Sequence, residues 1–160
     1  MITLQTVPTS FVSVNRLRIA YRRFGASSPL PLVYVNRLRG SMDTLDPLLS
    51  NNIAKSREVI IYDSAGIGHS EGTVPDSIPE MVTVLVDFLA ALEIPKADFI
   101  GFSMGGGIVQ YLGYEYPQLV HGLILAGTQP GIGEGAALAP HGRSWRARAQ
   151  TMTSPRRRRI

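Results

Sequence analysis

The chain has no cysteine and no long apolar run, and each absence excludes a class of protein. Without cysteine, neither a disulfide framework nor a cysteine zinc site can form. No apolar run approaches the roughly 18 residues that a membrane span needs. The N-terminal residues 1–8 carry neither the basic region nor the apolar core of a signal peptide. We therefore expect a cytoplasmic protein with no membrane partner.

Acidic residues are also missing from the last stretch of the chain, residues 143–160, which holds seven arginines. The net charge of +4 comes from this stretch alone, since acidic residues outnumber lysine and arginine in residues 1–142. A block of this kind is typically disordered and can attract nucleic acid or an anionic surface. A truncation or a shifted reading frame would leave the same composition, and the sequence alone does not choose between these interpretations.

What the chain does contain is a regular alternation of strand and helix patterns, in a composition that is 44% apolar. Strands that alternate with helices predict an α/β fold, with a mostly parallel sheet and helices on both faces. The pattern stops after Thr128, so we predict a domain over residues 1–130 and a loop-like, disordered tail over residues 131–160. The predicted strands are 11–14, 17–21, 31–35, 58–63, 98–102 and 123–126, and the predicted helices are 43–56, 77–93 and 104–116.

Ser103 lies at the junction of a predicted strand and a predicted helix, with Gly101 and Gly105 two positions away on either side. The chain must turn sharply at the serine to pass from strand to helix, and glycines leave room for that turn. Such a turn exposes the serine oxygen above the sheet. Ser103 is therefore the predicted nucleophile.

Three segments in this order resemble the α/β-hydrolase superfamily, of the esterase, lactonase and cofactor-free haloperoxidase-like type. Residues 35–40 (VNRLRG) resemble its oxyanion loop, where relatives often carry His-Gly or His-Phe-Arg-Gly. Residues 62–72 (YDSAGIGHSEG) are similar to its Asp-x-x-Gly-x-Gly-x-Ser loop, and the Ser103 turn is similar to its nucleophile elbow. The resemblance covers about residues 10–130, which implies the N-terminal part of the α/β-hydrolase fold, truncated after the strand that follows the elbow helix.

The resemblance implies a serine hydrolase that cleaves a small ester or lactone through an acyl-enzyme, without a cofactor or a metal. Ser103 would attack the carbonyl carbon, and the backbone amides of Leu38 and Met104 would hold the oxygen that becomes negative. The amide of Met104 would lie at a helix N-terminus, where the helix dipole favours negative charge.

In this superfamily the catalytic acid and histidine follow the serine along the chain. Glu115 lies too far along the elbow helix, and His121 lies at the far end of the next strand. Glu134 and His141 are the remaining candidates for acid and base. We do not expect a complete triad in this chain.

Two loop residues have structural interpretations. We expect Asp63 to anchor the loop that contains Gly66 and Gly68, and His69 to be an ordinary residue of that loop. His69 and Glu71 have no partner cluster in the sequence, so we predict no metal site.

Two alternatives to an active hydrolase stay open: an inactive fragment or pseudo-enzyme, and a binder of anionic partners through the arginine-rich tail. We also expect the edge of the last predicted strand to be exposed, which would favour self-association.

Overall fold

A computed structural model describes residues 2–129, and within them the strand and helix pattern predicted from the sequence is present. Two short 3₁₀ turns, Met42–Thr44 and Pro117–Leu119, accompany the main elements. The strands are β1 (Ser10–Val14), β2 (Leu17–Gly25), β3 (Leu32–Val35), β4 (Glu58–Tyr62), β5 (Ala97–Phe102) and β6 (Val120–Ala126), and the helices are α1 (Pro47–Ala54), α2 (Ile78–Ala91) and α3 (Met104–Glu115).

The strands form one sheet in the order β1-β2-β4-β3-β5-β6. The pairs β4–β3, β3–β5 and β5–β6 are parallel, whereas β1 and β2 join as an antiparallel hairpin and β2 pairs antiparallel with β4. The predicted fold class is confirmed, because β3, β4, β5 and β6 pair in parallel. In a parallel sheet the carboxyl ends of neighbouring strands meet at one edge, which brings the loops after β3, β4 and β5 together.

Two apolar clusters cover the two faces of the sheet. One joins alternate residues of the strands, such as Ile60 and Phe99, to α2 and α3 through Phe88 and Val109. The other joins the intervening strand residues, such as Ile61, to Ala54 of α1 and to the N-terminal segment. This alternation follows from the two-residue period of a strand, and it explains why the central strands are apolar on both sides.

The first predicted helix, 43–56, is shorter than expected, because the chain divides it into a 3₁₀ turn and α1. Pro47 occupies the first turn of α1, where its missing N–H costs nothing, and the Asp46 carboxylate accepts a hydrogen bond from the Leu48 amide at 2.8 Å. The second predicted helix ends at Ala91 rather than Glu93. Its predicted start is confirmed, since the Ser77 hydroxyl accepts the Glu80 amide as an N-cap.

The strand β6 pairs with β5, and no other described strand pairs with it. Its apolar side chains Leu123, Ile124 and Leu125 are 37%, 50% and 47% exposed. None of the helices within residues 2–129 is both long and apolar enough to cross a membrane. The predicted tail, residues 131–160, lies outside the described residues, so the domain boundary near residue 130 stays a prediction.

Candidate active site

Ser103 lies at the sharp turn that links β5 to α3, one residue after the strand ends and one residue before the helix begins. Its backbone has φ 55° and ψ −117°, a combination that residues with a side chain rarely adopt. Holding a residue there costs about 1–3 kcal/mol, which the surrounding structure must supply. The Ser103 amide donates to the carbonyl of Ala126 in β6 at 2.9 Å, which ties the turn to the neighbouring strand.

Two glycines allow this turn because backbone atoms pack where their side chains would be. A Cβ on Gly101 would lie 2.5 Å from the carbonyl oxygen of Gly105. A Cβ on Gly105 would lie 2.1 Å from the carbonyl oxygen of Val35 and 2.6 Å from that of Asn36. The first turn of α3 is therefore in direct backbone contact with the end of β3 and with the start of the loop that follows it.

The loop after β3 is organised by the side chain of Asn36. Its Oδ1 accepts the Arg37 amide at 2.8 Å, and its Nδ2 donates to the Ser41 carbonyl at 3.0 Å. The Gly40 amide donates to the Arg37 carbonyl at 2.9 Å, which closes a turn over Leu38. Within residues 2–129 the Leu38 amide has no hydrogen-bond acceptor.

Met104, the other predicted donor, is the first residue of α3. The first amides of a helix have no partner within the helix. Among the described residues, the Met104 amide has no acceptor elsewhere either. Leu38 and Met104 border the same pocket, so the structure brings together the two predicted amide donors.

This pocket opens at the carboxyl edge of the sheet. Its lining combines the loop after β3, the loop after β4 and one face of α2 and α3. The lining residues are Val35, Asn36, Arg37, Leu38, Arg39, Gly40, Tyr62, Ser64, Ile67, Val74, Met81, Met104 and Ile108. Tyr62 is almost fully buried, and burial raises the pKa of its phenol, so this group stays neutral in the pocket wall.

Asp63 is fully buried and anchors the loop that contains Gly66 and Gly68, as predicted, and also the loop after β3, which was not predicted. Its Oδ1 accepts the Met42 amide at 2.7 Å, and its Oδ2 accepts the His69 amide at 2.9 Å. A Cβ on Gly68 would lie 2.1 Å from that same Oδ2, so the loop can approach the carboxylate only with glycine there. These contacts assign Asp63 a structural role.

His69 has a partner that its sequence position did not indicate. Its Nε2 lies 2.7 Å from Oδ2 of Asp43, and Arg22 binds the other oxygen of Asp43 at 2.7 Å. The hydrogen bonds from His69 and Arg22 lower the pKa of Asp43 below its ordinary value. Asp43 and His69 are exposed and Arg22 is half-buried, and together they join the loops after β3 and β4 to the hairpin. No group of three potential metal ligands occurs within residues 2–129.

The two residues that the sequence excluded from the site lie away from it. His121 is the second residue of β6, at the end of the sheet opposite to the pocket, where its Nδ1 lies 2.7 Å from Oδ1 of Asp98. Arg57 binds Oδ2 of Asp98 at 2.7 Å. Burial alone would raise the pKa of Asp98, but the hydrogen bonds from Arg57 and His121 outweigh it and lower that pKa. Glu115 is exposed at the end of α3.

Glu134 and His141, the predicted acid and base, lie outside the described residues, and their roles stay predictions. The sequence missed the part that Asn36 has in organising the loop after β3. The only local sign of it is an amide side chain directly after a buried strand, at the start of a loop that ends in glycine.

Known proteins resemble this chain in sequence. The chain matches the model of the alpha/beta hydrolase fold family over residues 35–153. It is 34% identical over 143 residues to 3-oxoadipate enol-lactonase 2 of Acinetobacter baylyi, covering 87% of this chain and 49% of that protein. It is 39% identical over 82 residues to esterase YbfF of Escherichia coli, covering 51% of this chain and 32% of that protein.

Solved structures show the same relationship. An alpha/beta hydrolase fold protein from Chitinophaga pinensis superposes with a TM-score of 0.80 at 39% identity, over 82% of this chain and 48% of that one. The enol-lactonase from Burkholderia xenovorans superposes with a TM-score of 0.69 at 26% identity, over 78% of this chain and 48% of that one. The chain spans half or less of the length of the curated relatives named above. Sequence and backbone agree, and the chain belongs to the alpha/beta hydrolase family.

Proposed function

We propose that this chain carries the nucleophile and the oxyanion donors of a serine hydrolase that cleaves a small ester or lactone through an acyl-enzyme. The single observation that carries the proposal is the backbone of Ser103, with φ 55° and ψ −117° between β5 and α3. Strained backbone of this kind is concentrated at active sites, and a strained strand-to-helix turn is the geometry that exposes a nucleophilic serine. Relatives named enol-lactonase and esterase support the ester or lactone class.

The chemistry assigns one step to each group. The Ser103 Oγ attacks the carbonyl carbon of the substrate while a base takes its proton, and the carbonyl oxygen becomes negative. The amides of Leu38 and Met104 would donate to that oxygen, with the α3 dipole adding to the second donor. Collapse of the tetrahedral intermediate expels the alcohol oxygen, which takes the proton from the base. Water then hydrolyses the acyl-serine ester.

The amide donors need no reorganisation, because the protein backbone already holds them. Asn36 and the turn over Leu38 fix one donor, and the contact of Gly105 with β3 fixes the other. Removing one such donor costs an enzyme about 3–4 kcal/mol of transition-state stabilisation. We therefore propose that the Asn36 loop is a positioning element of the oxyanion site.

The base and the acid of the triad are assigned from the sequence alone. Glu134 and His141 are the predicted candidates, and the sequence predicts that they do not complete a triad. An inactive fragment is therefore the second candidate function.

A covalent probe separates the two functions. We expect an uncharged fluorophosphonate to label the wild-type chain once, at Ser103, if a base activates the hydroxyl. Intact mass and peptide mapping measure the label. Ser103→Ala should lose it, and Ser13→Ala, an exposed serine of β1, should keep it. An unlabelled wild-type chain with the far-UV circular dichroism of a folded α/β protein would instead establish the inactive fragment.

Three further expectations stay predictions. The cytoplasmic location is one of them. Binding of anionic partners through residues 143–160 is another, and that segment lies outside the described residues. Self-association through the β6 edge is the third.

A further inference from the structure

Two arginines border the same pocket as the proposed oxyanion donors. Arg37 and Arg39 flank Leu38 in the loop after β3, and both side chains belong to exposed residues of the pocket lining. The lining that the structure describes contains no acidic residue. The described lining is therefore positively charged at the two arginines and largely apolar elsewhere.

Neither of these two arginines forms an ion pair within the described part of the chain. Three other arginines in the described part of the chain each bind a carboxylate at 2.7 Å. No carboxylate within residues 2–129 lies within 4.0 Å of Arg37 or Arg39. Arg37 makes one long contact, 3.5 Å from its guanidinium to the Leu38 carbonyl.

Asp63, which lies next to two lining residues in the sequence, forms no ion pair with either arginine. Asp63 lies between the lining residues Tyr62 and Ser64, but its side chain is fully buried. Both of its oxygens accept backbone amides, from Met42 and from His69. Both carboxylate oxygens are thus occupied by backbone amides within the fold.

The loop holds both arginines in place without using their side chains. The Asn36 side chain binds the backbone on both sides of the loop, and a Cβ on Gly40 would lie 2.6 Å from that side chain. Arg39 has φ 57°, a left-handed conformation that helps to close the turn. The planar guanidinium group of arginine loses less conformational freedom per hydrogen bond than the ammonium group of lysine does.

We propose that the pocket selects an ester or lactone that carries a separate carboxylate group, with Arg37 and Arg39 as its specificity-determining residues. The guanidinium donors match the geometry of a carboxylate, which can accept two parallel hydrogen bonds. The apolar lining, which includes Ile67, Val74 and Met81, would cover the hydrocarbon part of the substrate. This inference rests on the proposed function for the reaction, but not for the binding of the anion.

The test uses a pair of probes that contain no ester or lactone bond: 3-oxocyclopentane-1-carboxylate and its carboxamide. They differ in charge but hardly in size. Binding is measured on the full chain from the ¹³C-methyl resonances of Met81 and Met104, which line the pocket, with buried Met42 outside the lining as the internal control. We expect the carboxylate to bind about five- to tenfold more tightly than the carboxamide, since exposed ion pairs are screened by solvent. Added salt should reduce this ratio.

Four variants locate the effect. Arg37→Gln and Arg39→Gln should each lower the ratio, whereas Arg37→Lys should retain part of it. Arg16→Gln makes the same change of net charge at the exposed β1–β2 turn, outside the pocket, and should keep the wild-type ratio. An unchanged Met42 resonance shows that each variant is folded.

Equal binding of the two probes would overturn the inference. So would an absence of shifts at Met81 and Met104 with either probe, or an equal loss in Arg16→Gln. The fluorophosphonate experiment on the same preparation keeps the two proposals separate. A charge preference without labelling of Ser103 would overturn the proposed reaction and leave this inference standing, and labelling without a charge preference would do the reverse.

Discussion

Replacing Gly105 by alanine tests whether the Ser103 turn depends on the backbone contact between α3 and β3. The new Cβ would lie 2.1 Å from the Val35 carbonyl oxygen and 2.6 Å from that of Asn36, and real Cβ atoms essentially never approach closer than 3.0 Å. Both obstacles are backbone atoms, so no side chain can rotate out of the way. Either α3 or the end of β3 must move.

The structure indicates which of the two moves and what that costs. Val35 is paired in register with Gly101 of β5, so the start of α3 is the freer side. Overpacking a well-packed site costs about 1–3 kcal/mol, and a glycine-to-alanine change inside a helix returns up to about 1 kcal/mol. With two backbone clashes, we expect a net loss of about 2 kcal/mol in the free energy of unfolding. For a chain of this size that lowers Tm by about 4–8 °C.

Urea unfolding followed by far-UV circular dichroism measures this loss, provided that the urea dependence of the free energy is unchanged. Gly113→Ala is the matched control in the same helix. Its Cβ would meet only the end of the Leu123 side chain, at 3.1 Å, so we expect no loss and a gain of up to about 1 kcal/mol. A wild-type urea midpoint for Gly105→Ala would refute the reasoning, as would an equal loss in Gly113→Ala.

Two further predictions concern the edge and the far end of the sheet. Ile124→Lys places a charge on the exposed β6 edge and should reduce the self-association that sedimentation velocity measures. Leu48→Lys, at an exposed position of α1, is the control and should not reduce it. Association that survives Ile124→Lys would exclude this edge as the contact surface. The pKa of Asp98 is lower in the folded chain than its ordinary value of 3.8, so its stabilising contribution is present above that value and is lost as the pH falls through the folded pKa. Asp98→Asn should therefore flatten the fall in unfolding free energy between about pH 5 and pH 3. Asp76→Asn, at an exposed position, should keep the wild-type slope of unfolding free energy against pH. Equal slopes in the wild type and both variants would contradict the prediction.

The sequence predicted the order of strands and helices because each depends on neighbours along the chain. Apolar runs of four to six residues marked β3, β4 and β5, and the cap at Ser77 marked the start of α2. The Ser103 turn was also predictable, since Gly101 and Gly105 lie two positions on either side of the serine and glycine leaves room for a sharp turn. Helix ends were less well predicted, as at Pro47, where one proline divided a continuous helical pattern.

The charge of the pocket was beyond the sequence, although the resemblance predicted that Leu38 and Met104 share one site. The parallel pairing of β3 with β5 brings the loop that carries Arg37 and Arg39 to the same pocket as Met104. The partnership of Asp43 with His69 joins residues 26 positions apart, and that of Asp98 with His121 joins residues 23 positions apart. The sequence by itself thus determined the family fold and the strained serine, which are local in origin. The tertiary structure alone decided which charges are neutralised by partners and which remain free at the pocket, since electrostatic pairing depends on distances in space that no local pattern encodes.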